Sequence, residues 1–225
     1  RAHMICFNST WLEKTLAVQL GIPLYANDPA LNVLGTKSGC REIFRDAGIL
    51  FPDGFENLSD ENEIANALNE LKGRHPEMRR AVVKLNDGFS GEGNALFYFD
   101  NIDATDSRER LEQIKSQLHT LRFEAPQEHW ESYRQKYRDM GGVVELFVEG
   151  KVKFSPSSQC RVNPLGQAVS ISTQFEVLAY RLLLYFCRRP DGSKASPNEI
   201  PLGHSPSRLS HHLLNLRGWF RRSFR

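Results

Sequence analysis

The chain has 225 residues, of which 40% are hydrophobic and 25% are charged. This composition is typical of a globular protein with a substantial core, and it excludes a chain that is disordered throughout. The net charge is only +2, but residues 1–176 carry 20 basic and 25 acidic side chains, whereas residues 177–225 carry 9 basic and 2 acidic ones. So abrupt a change of charge predicts a boundary near residue 176.

The cysteines and the hydropathy limit where the protein works. The four cysteines are widely spread and form no CxxC pair, which argues against a zinc site and against a secreted disulfide framework. The sequence shows no apolar run of about 20 residues that could cross a bilayer, and no signal peptide is recognisable at its start. We therefore expect a cytoplasmic protein with reduced thiols, without a membrane span or a DNA partner.

The first third of the chain predicts a short buried strand in "MICFN" and then three helices, at residues 9–21, 37–49 and 59–73. In the first helix Thr10 can cap, Glu13 follows three residues later, and Gly21 ends the helix. The second has Ile43 and Phe44 at helical spacing. Residues 22–36 are expected to be a connection.

The middle of the chain alternates strands and helices. "AVVKL", "ALFYF" and "VVELFV" are rich in β-branched and aromatic residues and predict strands, and residues 107–122 and 127–139 predict helices. A further antiparallel pair is predicted at 152–162 and 167–173, joined by the turn "NPLG". Because paired strands are joined by short turns, we predict an α+β (α/β layered) fold with antiparallel sheets rather than a doubly wound parallel one.

Between two predicted strands lies the glycine-rich segment "NDGFSGEGN", directly after Lys84 and Leu85. A P-loop needs Lys and Ser/Thr after its last glycine, and a dinucleotide-binding loop needs GxGxxG before a helix; here the order is GxxGxG and a strand follows. A kinase loop is disfavoured because kinases place their lysine on a later strand. Two interpretations remain: an ordinary hairpin turn, or a loop whose N–H groups bind phosphate beside Lys84.

Four segments together resemble the ATP-grasp superfamily in order and approximate spacing. They are "LGIPLYANDPALNVLGTKSGCREIFRDAGILFPDG", "VVKLNDGFSGEGNA", "GGVVELFVEG" and "SPSSQCRVNPLGQAVSIST". Within the superfamily the resemblance is strongest to the ATP-grasp region of IQ-motif-containing protein H-like proteins, and looser to pheganomycin-type peptide ligases. It implies an ATP-grasp fold, apparently truncated at its C-terminal end. The implied domains are the end of a pre-ATP-grasp domain (1–36), a nucleotide-binding region (37–176) and an atypical basic tail (177–225).

The resemblance also implies the contacts of ATP. Lys37 matches the lysine that reaches the phosphates, and Lys84 matches the one near the α-phosphate and adenine. The loop over the β- and γ-phosphates is matched by Gly88, Ser90, Gly91 and Gly93. The hinge that contacts adenine is matched by Glu145, Leu146 and Val148. Arg161 is a further candidate for holding phosphate or substrate. Independently, Lys37 opens a predicted helix, where free N–H groups favour an anion. Each residue also has a structural alternative: a solvated lysine, a turn glycine or a core strand.

The resemblance implies ATP and Mg²⁺ as cofactors, and ligation of a carboxylate to an amine through an acyl phosphate. The acidic metal ligands of such enzymes follow the hinge, but after residue 176 only Asp191 and Glu199 are acidic, and neither has the setting of a ligand. We therefore identify no metal or catalytic residue. The alternative function is a non-catalytic regulatory or interaction module that retains the fold.

The tail has two interpretations of its own. It departs from the family pattern at about Val177, as a shifted reading frame or mis-assigned exon would. Its last part, "SRLSHHLLNLRGWFRRSFR", is basic, with apolar residues on one side if it is helical, which is typical of segments that bind calmodulin-like partners or anionic membranes. A disordered basic tail is the simpler interpretation.

Overall fold

The computed structural model of the chain describes residues 2–88, 92–150, 155–163, 165, 167–179 and 183–186. Two predicted loop residues, Ser90 and Gly91, lie outside these ranges, as does the predicted partner-binding segment at 207–225. In the part described, no helix is both long and apolar enough to cross a membrane.

The helices of the described residues follow the predicted order. They are α1 (Trp11–Leu20), α2 (Lys37–Asp46), α3 (Glu61–Arg74), α4 (Ser107–Gln117) and α5 (Trp130–Met140), with 3₁₀ turns at Pro29–Gly35 and Leu118–Thr120. The capping box of α1 is confirmed: the Thr10 side chain accepts from the first turn, Glu13 accepts from the Thr10 N–H, and Gly21 ends the helix at φ 61°.

The strands form one main sheet and two smaller ones. They are β1 (Met4–Ile5), β2 (Leu24–Tyr25), β3 (Gly54–Leu58), β4 (Arg80–Leu85), β5 (Asn94–Tyr98), β6 (Arg122–Phe123), β7 (Gly142–Leu146), β8 (Ser155–Val162), β9 (Ala168–Ala179) and β10 (Leu183–Phe186). The main sheet is antiparallel in the order β3-β7-β4-β5-β6, and β10-β9-β8 is antiparallel too. The predicted α+β class with antiparallel sheets is thus confirmed. β9 runs past residue 176 to Ala179.

The main sheet buries one face against α3, α4 and α5. Alternate residues of β4 and β5, among them Val83 and Phe97, join Leu68 of α3, Ile114 of α4 and Tyr133 of α5 in one buried cluster. Because successive side chains of a strand point to opposite faces, the residues between them lie on the other face. Lys84 is one of these, so the core fixes where the lysine points.

Several parts of the sequence behave differently from expectation. β6 begins at Arg122, the last residue of the predicted helix 107–122, and β10 lies in the predicted basic tail. The predicted buried strand "MICFN" shortens to Met4–Ile5, and Ile5 is 66% exposed. The expected connection at 22–36 contains β2, which pairs in parallel with β1, and a 3₁₀ turn. β3 was not predicted, since "GFENL" has neither the alternation nor the β-branched residues of a strand.

Tyr133 and Tyr137 provide a test of the core from one helix. The buried Tyr133 hydroxyl lies 3.1 Å from both Val83 O and Gly93 O, whereas the buried Tyr137 hydroxyl has no hydrogen-bond partner among the described residues. We expect Tyr133→Phe to lower the free energy of unfolding by about 1–2 kcal/mol, because a buried hydrogen bond is lost. Tyr137→Phe should leave it unchanged or raise it. Urea denaturation measures both variants, and equal losses would contradict the assignment.

Candidate functional site

Lys84 and Glu145 meet on the face of the main sheet that α3–α5 leave open. β4 and β7 are neighbours, and their register places Lys84 opposite Val143 and therefore diagonally across from Glu145. The ammonium and the carboxylate form an ion pair. Lys84 stays partly exposed, whereas Glu145 is only 8% exposed. The sheet thus presents one accessible cation beside one buried anion.

A second cation, which the sequence analysis missed, reaches Glu145 from α2. Arg41 is 3% exposed, and its Nη1 donates to Glu145 Oε1 at 2.8 Å and to Pro52 O at 2.9 Å. Its Nε donates to Glu56 Oε2 at 2.9 Å, and Glu56 also pairs with Arg45. Five side chains therefore form an ion-pair network in which positive and negative charges alternate: Arg45, Glu56, Arg41, Glu145 and Lys84.

The ionisation of Glu145 follows from these partners. Burial disfavours the carboxylate and by itself raises its pKa, but Lys84 and Arg41 together outweigh burial, so the pKa of Glu145 lies below its ordinary value of 4.5. A carboxyl whose pKa is lowered by folding stabilises the fold above its unfolded pKa. That contribution disappears as the pH falls through the folded pKa. Glu145 is thus a buried anion at neutral pH.

Asn86, also missed, ties the start of the glycine loop to α2 and β7. Its backbone O accepts from Lys37 N–H at 3.1 Å, and its Oδ1 accepts from the N–H and hydroxyl of Ser38 at 3.0 and 2.7 Å. Its own N–H and side-chain amide donate to Gly141 O and Met140 O, both at 2.9 Å. Asn86 therefore holds the loop, the first turn of α2 and the start of β7 in one place.

Lys37 is the first residue of α2, as predicted, but its setting differs from the expectation. The N–H groups of Lys37 and Ser38 donate to Asn86, and that of Gly39 donates to the Thr36 side chain at 3.0 Å. These N–H groups are therefore not free for an anion. Any contact between this end of α2 and a phosphate would come from the partly exposed Lys37 side chain.

The two ends of the glycine loop are closely packed against each other. A Cβ at Gly88 would lie 3.2 Å from Gly93 N, and one at Gly93 would lie 3.1 Å from Leu85 Cβ, so larger residues would force the two ends of the loop apart. Gly93 O also accepts from Leu85 N–H and from the Tyr133 hydroxyl. These glycines thus let the chain leave and re-enter the sheet at one point, next to Lys84.

The predicted hinge spans the end of β7. Glu145 is inside the strand, and the Leu146 N–H donates to Asp53 O at 2.8 Å. Val148 lies beyond the strand and is 62% exposed, so of the three hinge residues it is the one outside the ladder. Arg161, on β8, is exposed and in register with Val169. The nucleotide contacts of all these residues stay predictions.

Arg80 forms a second polar cluster directly after the hinge. Its guanidinium holds Glu149 through two contacts of 2.8 and 2.9 Å, and it lies 3.8 Å from the centre of the Phe147 ring. The hydrogen bonds to Glu149 raise the pKa of Arg80 above its ordinary value, and burial opposes this effect. This cluster fixes the segment that leaves β7. No local pattern predicts this cluster, because Arg80 and Glu149 lie 69 positions apart.

The described residues contain no cluster of three or more metal-ligating side chains. Mg²⁺ is bound by carboxylate oxygens together with phosphates, and among the described side chains no group of three or more His, Cys, Asp or Glu could hold a metal ion. A surface depression on α3 and α4, lined by Asn69, Arg74 and Arg110 among others, contains none of the predicted site residues.

Residues 29–119 match a family model described as IQCH-like, ATP-grasp. The match covers less than half of the chain, and it shows that this part resembles an IQCH-like ATP-grasp region. The matched part includes Lys37, Lys84 and the glycine loop, whereas the hinge and Arg161 lie outside it. The resemblance inferred from the sequence is thereby confirmed.

The ATP-grasp region is also similar to individual proteins. It is 31% identical over 96 residues to IQ motif-containing protein H from Danio rerio, a stretch that is 42% of this chain and 9% of that protein. The crystal structure of D-alanine–D-alanine ligase from Bacillus anthracis aligns with 92% of this chain and 56% of its own, at 17% identity and a TM-score of 0.40. The second likeness is too weak to transfer any residue or activity.

Glu145→Gln tests the buried carboxylate. We expect the variant to lose roughly 3 kcal/mol of unfolding free energy at pH 7, because breaking one member of a buried ion-pair network leaves its cations poorly compensated. The difference from the wild type should be fully present above pH 4.5 and shrink as the pH falls through the lowered pKa of Glu145, where the wild-type carboxylate itself becomes protonated. Denaturant unfolding between pH 3 and 7 measures this, with the exposed Glu112→Gln as the control. A difference that does not change with pH would contradict the assignment.

Proposed function

We propose that residues 37–176 bind ATP as the nucleotide-binding part of an ATP-grasp domain related to carboxylate–amine ligases. The observation that carries the proposal is the position of Lys84. This partly exposed cation lies near the end of β4, beside a glycine loop whose two ends are closely packed, and β4 pairs with the predicted hinge strand. The family match over residues 29–119 supports the same assignment.

Each predicted residue has a defined part in this proposal. Lys84 leaves its pair with Glu145 and contacts the α-phosphate, and the side chain of Lys37 contacts the phosphates from the start of α2. The loop that contains Gly88, Ser90, Gly91 and Gly93 donates N–H groups to the β- and γ-phosphates. Adenine lies along the hinge, where Val148 provides backbone groups outside the sheet. Arg161 contributes a further cation.

A ligase activity would need more than these residues. In a ligase, Mg²⁺ would supply positive charge to offset that of the phosphates, and an amine would displace inorganic phosphate from an acyl phosphate formed with ATP. The residues that the structure describes contain no group of three or more potential metal ligands, and residues 177–225 contain only two acidic side chains. The scarcity of acidic residues in 177–225 favours the second candidate, a non-catalytic regulatory module that binds nucleotide. We also propose a cytoplasmic setting, and a calmodulin-like partner for the basic tail.

Lys84→Ala tests nucleotide binding. We expect it to weaken ATP binding about ten- to hundredfold, because a hydrogen bond to a charged group contributes roughly 1.5–3 kcal/mol. Titration of the full chain with fluorescently labelled ATP, with and without Mg²⁺, measures the dissociation constant. Lys115→Ala, which removes an exposed lysine of α4, is the matched control. Equal affinity of Lys84→Ala and the wild type would count against the site.

Release of ADP separates the two candidate functions. The wild type is incubated with Mg-ATP and a panel of carboxylates and amines, and ADP is measured over time. Binding without ADP release supports the regulatory module, whereas release that depends on one carboxylate and one amine supports the ligase. Failure of the wild type to bind ATP under any condition would overturn both.

A further inference from the structure

Glu145 has two cationic partners of different kinds. Lys84 is partly exposed and stands at the mouth of the glycine loop, so it can reach a ligand. Arg41 is 3% exposed, and its guanidinium is engaged by Glu145, Glu56 and Pro52 O, so it cannot leave and cannot touch a nucleotide. One partner is therefore available to a phosphate, and the other is part of the fold.

Phosphate binding changes the charge around Glu145. When Lys84 turns to a phosphate, the carboxylate of Glu145 loses one of its two cations while it is still only 8% exposed. A buried carboxylate without a cation is strongly unfavourable. The ion-pair network without Lys84 still contains two cations and two anions, so its charges are balanced. These groups are Arg45, Glu56, Arg41 and Glu145.

We propose that Arg41 is a positioning residue for nucleotide binding, which holds Glu145 so that Lys84 can be released to a phosphate. The inference rests on the proposed function and adds a requirement to it: a buried residue of α2 sets how readily the lysine of β4 exchanges partners. The aromatic ring of Phe51, 4.8 Å from the guanidinium, completes the enclosure of Arg41. Without Arg41, Lys84 is the cation that keeps Glu145 ionised, and the two remain paired.

The proposal predicts a dependence on the phosphates of the ligand. Loss of Arg41 should penalise ligands that must draw Lys84 away from Glu145, and it should not penalise a ligand without phosphates. ATP and ADP belong to the first group, and adenosine to the second. A purely structural role for Arg41 would weaken the binding of all three to the same degree.

The experiment compares Arg41→Gln with the wild type by titrating the full chain with ATP, ADP and adenosine. We expect at least tenfold weaker binding of ATP and ADP and unchanged binding of adenosine. Adding Glu145→Gln to Arg41→Gln removes the anion that retains Lys84, and it should restore ATP affinity to within about threefold of the Glu145→Gln single variant. Arg138→Gln, which removes an exposed arginine paired with Glu61, should behave as the wild type.

Each other outcome has a defined meaning. Unchanged ATP affinity of Arg41→Gln, equal losses for ATP and adenosine, or no rescue by the double variant would overturn the role of Arg41 while leaving the nucleotide site intact. A wild type that binds none of the three ligands would overturn the proposed function instead. If Arg41→Gln does not fold, Arg41→Lys tests the guanidinium instead: it keeps the positive charge but cannot hold Glu145, Glu56 and Pro52 O at once, so we expect its affinity for ATP relative to adenosine to fall. A ratio equal to that of the wild type would then refute a requirement for the guanidinium.

Discussion

The buried carboxylate of Glu145 in the main sheet requires cations from neighbouring elements to balance its charge. Glu145 belongs to β7, which has a strand on either side, so its charge can be balanced only from the open face or from α2. Arg41 and Lys84 supply that balance from two different elements. Because an uncompensated buried charge is costly, α2, β4 and β7 must be correctly assembled together. The candidate site is thus a condition for this part of the fold as well as a product of it.

One face of β4 packs into the apolar core, and the other carries Lys84 of the candidate site. Val83 points into the apolar cluster beneath α3 and α5, and its neighbour Lys84 points to the polar face. A shift of register by one residue would exchange these environments, placing a lysine in the core. The apolar side therefore fixes the direction of the polar side without any contact of its own with a ligand. Tyr133 strengthens this coupling, since its hydroxyl reaches the backbone at both Val83 and Gly93.

The sequence predicted the parts of the fold that are encoded locally. Helical spacing, caps and β-branched runs identified all five helices of the described residues and the hairpin that carries Lys84. The glycine loop was recognised from its own residues, and family resemblance supplied its predicted role and that of Glu145. Arg41 was missed because helical periodicity directs attention to apolar residues, whereas the buried positions of α2 include Ser38, Gly39 and Arg41. Its partner Glu145 lies 104 positions away, a distance at which no local pattern indicates a contact.

The way in which α2 begins has a consequence for how the chain folds. Two of its first N–H groups are satisfied by Asn86, which follows Ser38 by 48 positions, and a helix of ten residues is only marginally stable in water by itself. The first turn of α2 therefore gains two of its hydrogen bonds only when β4 and Asn86 are in place. The stability of α2 is thus coupled to that of the hairpin that carries Lys84, and we expect the helix and the hairpin to unfold together rather than separately.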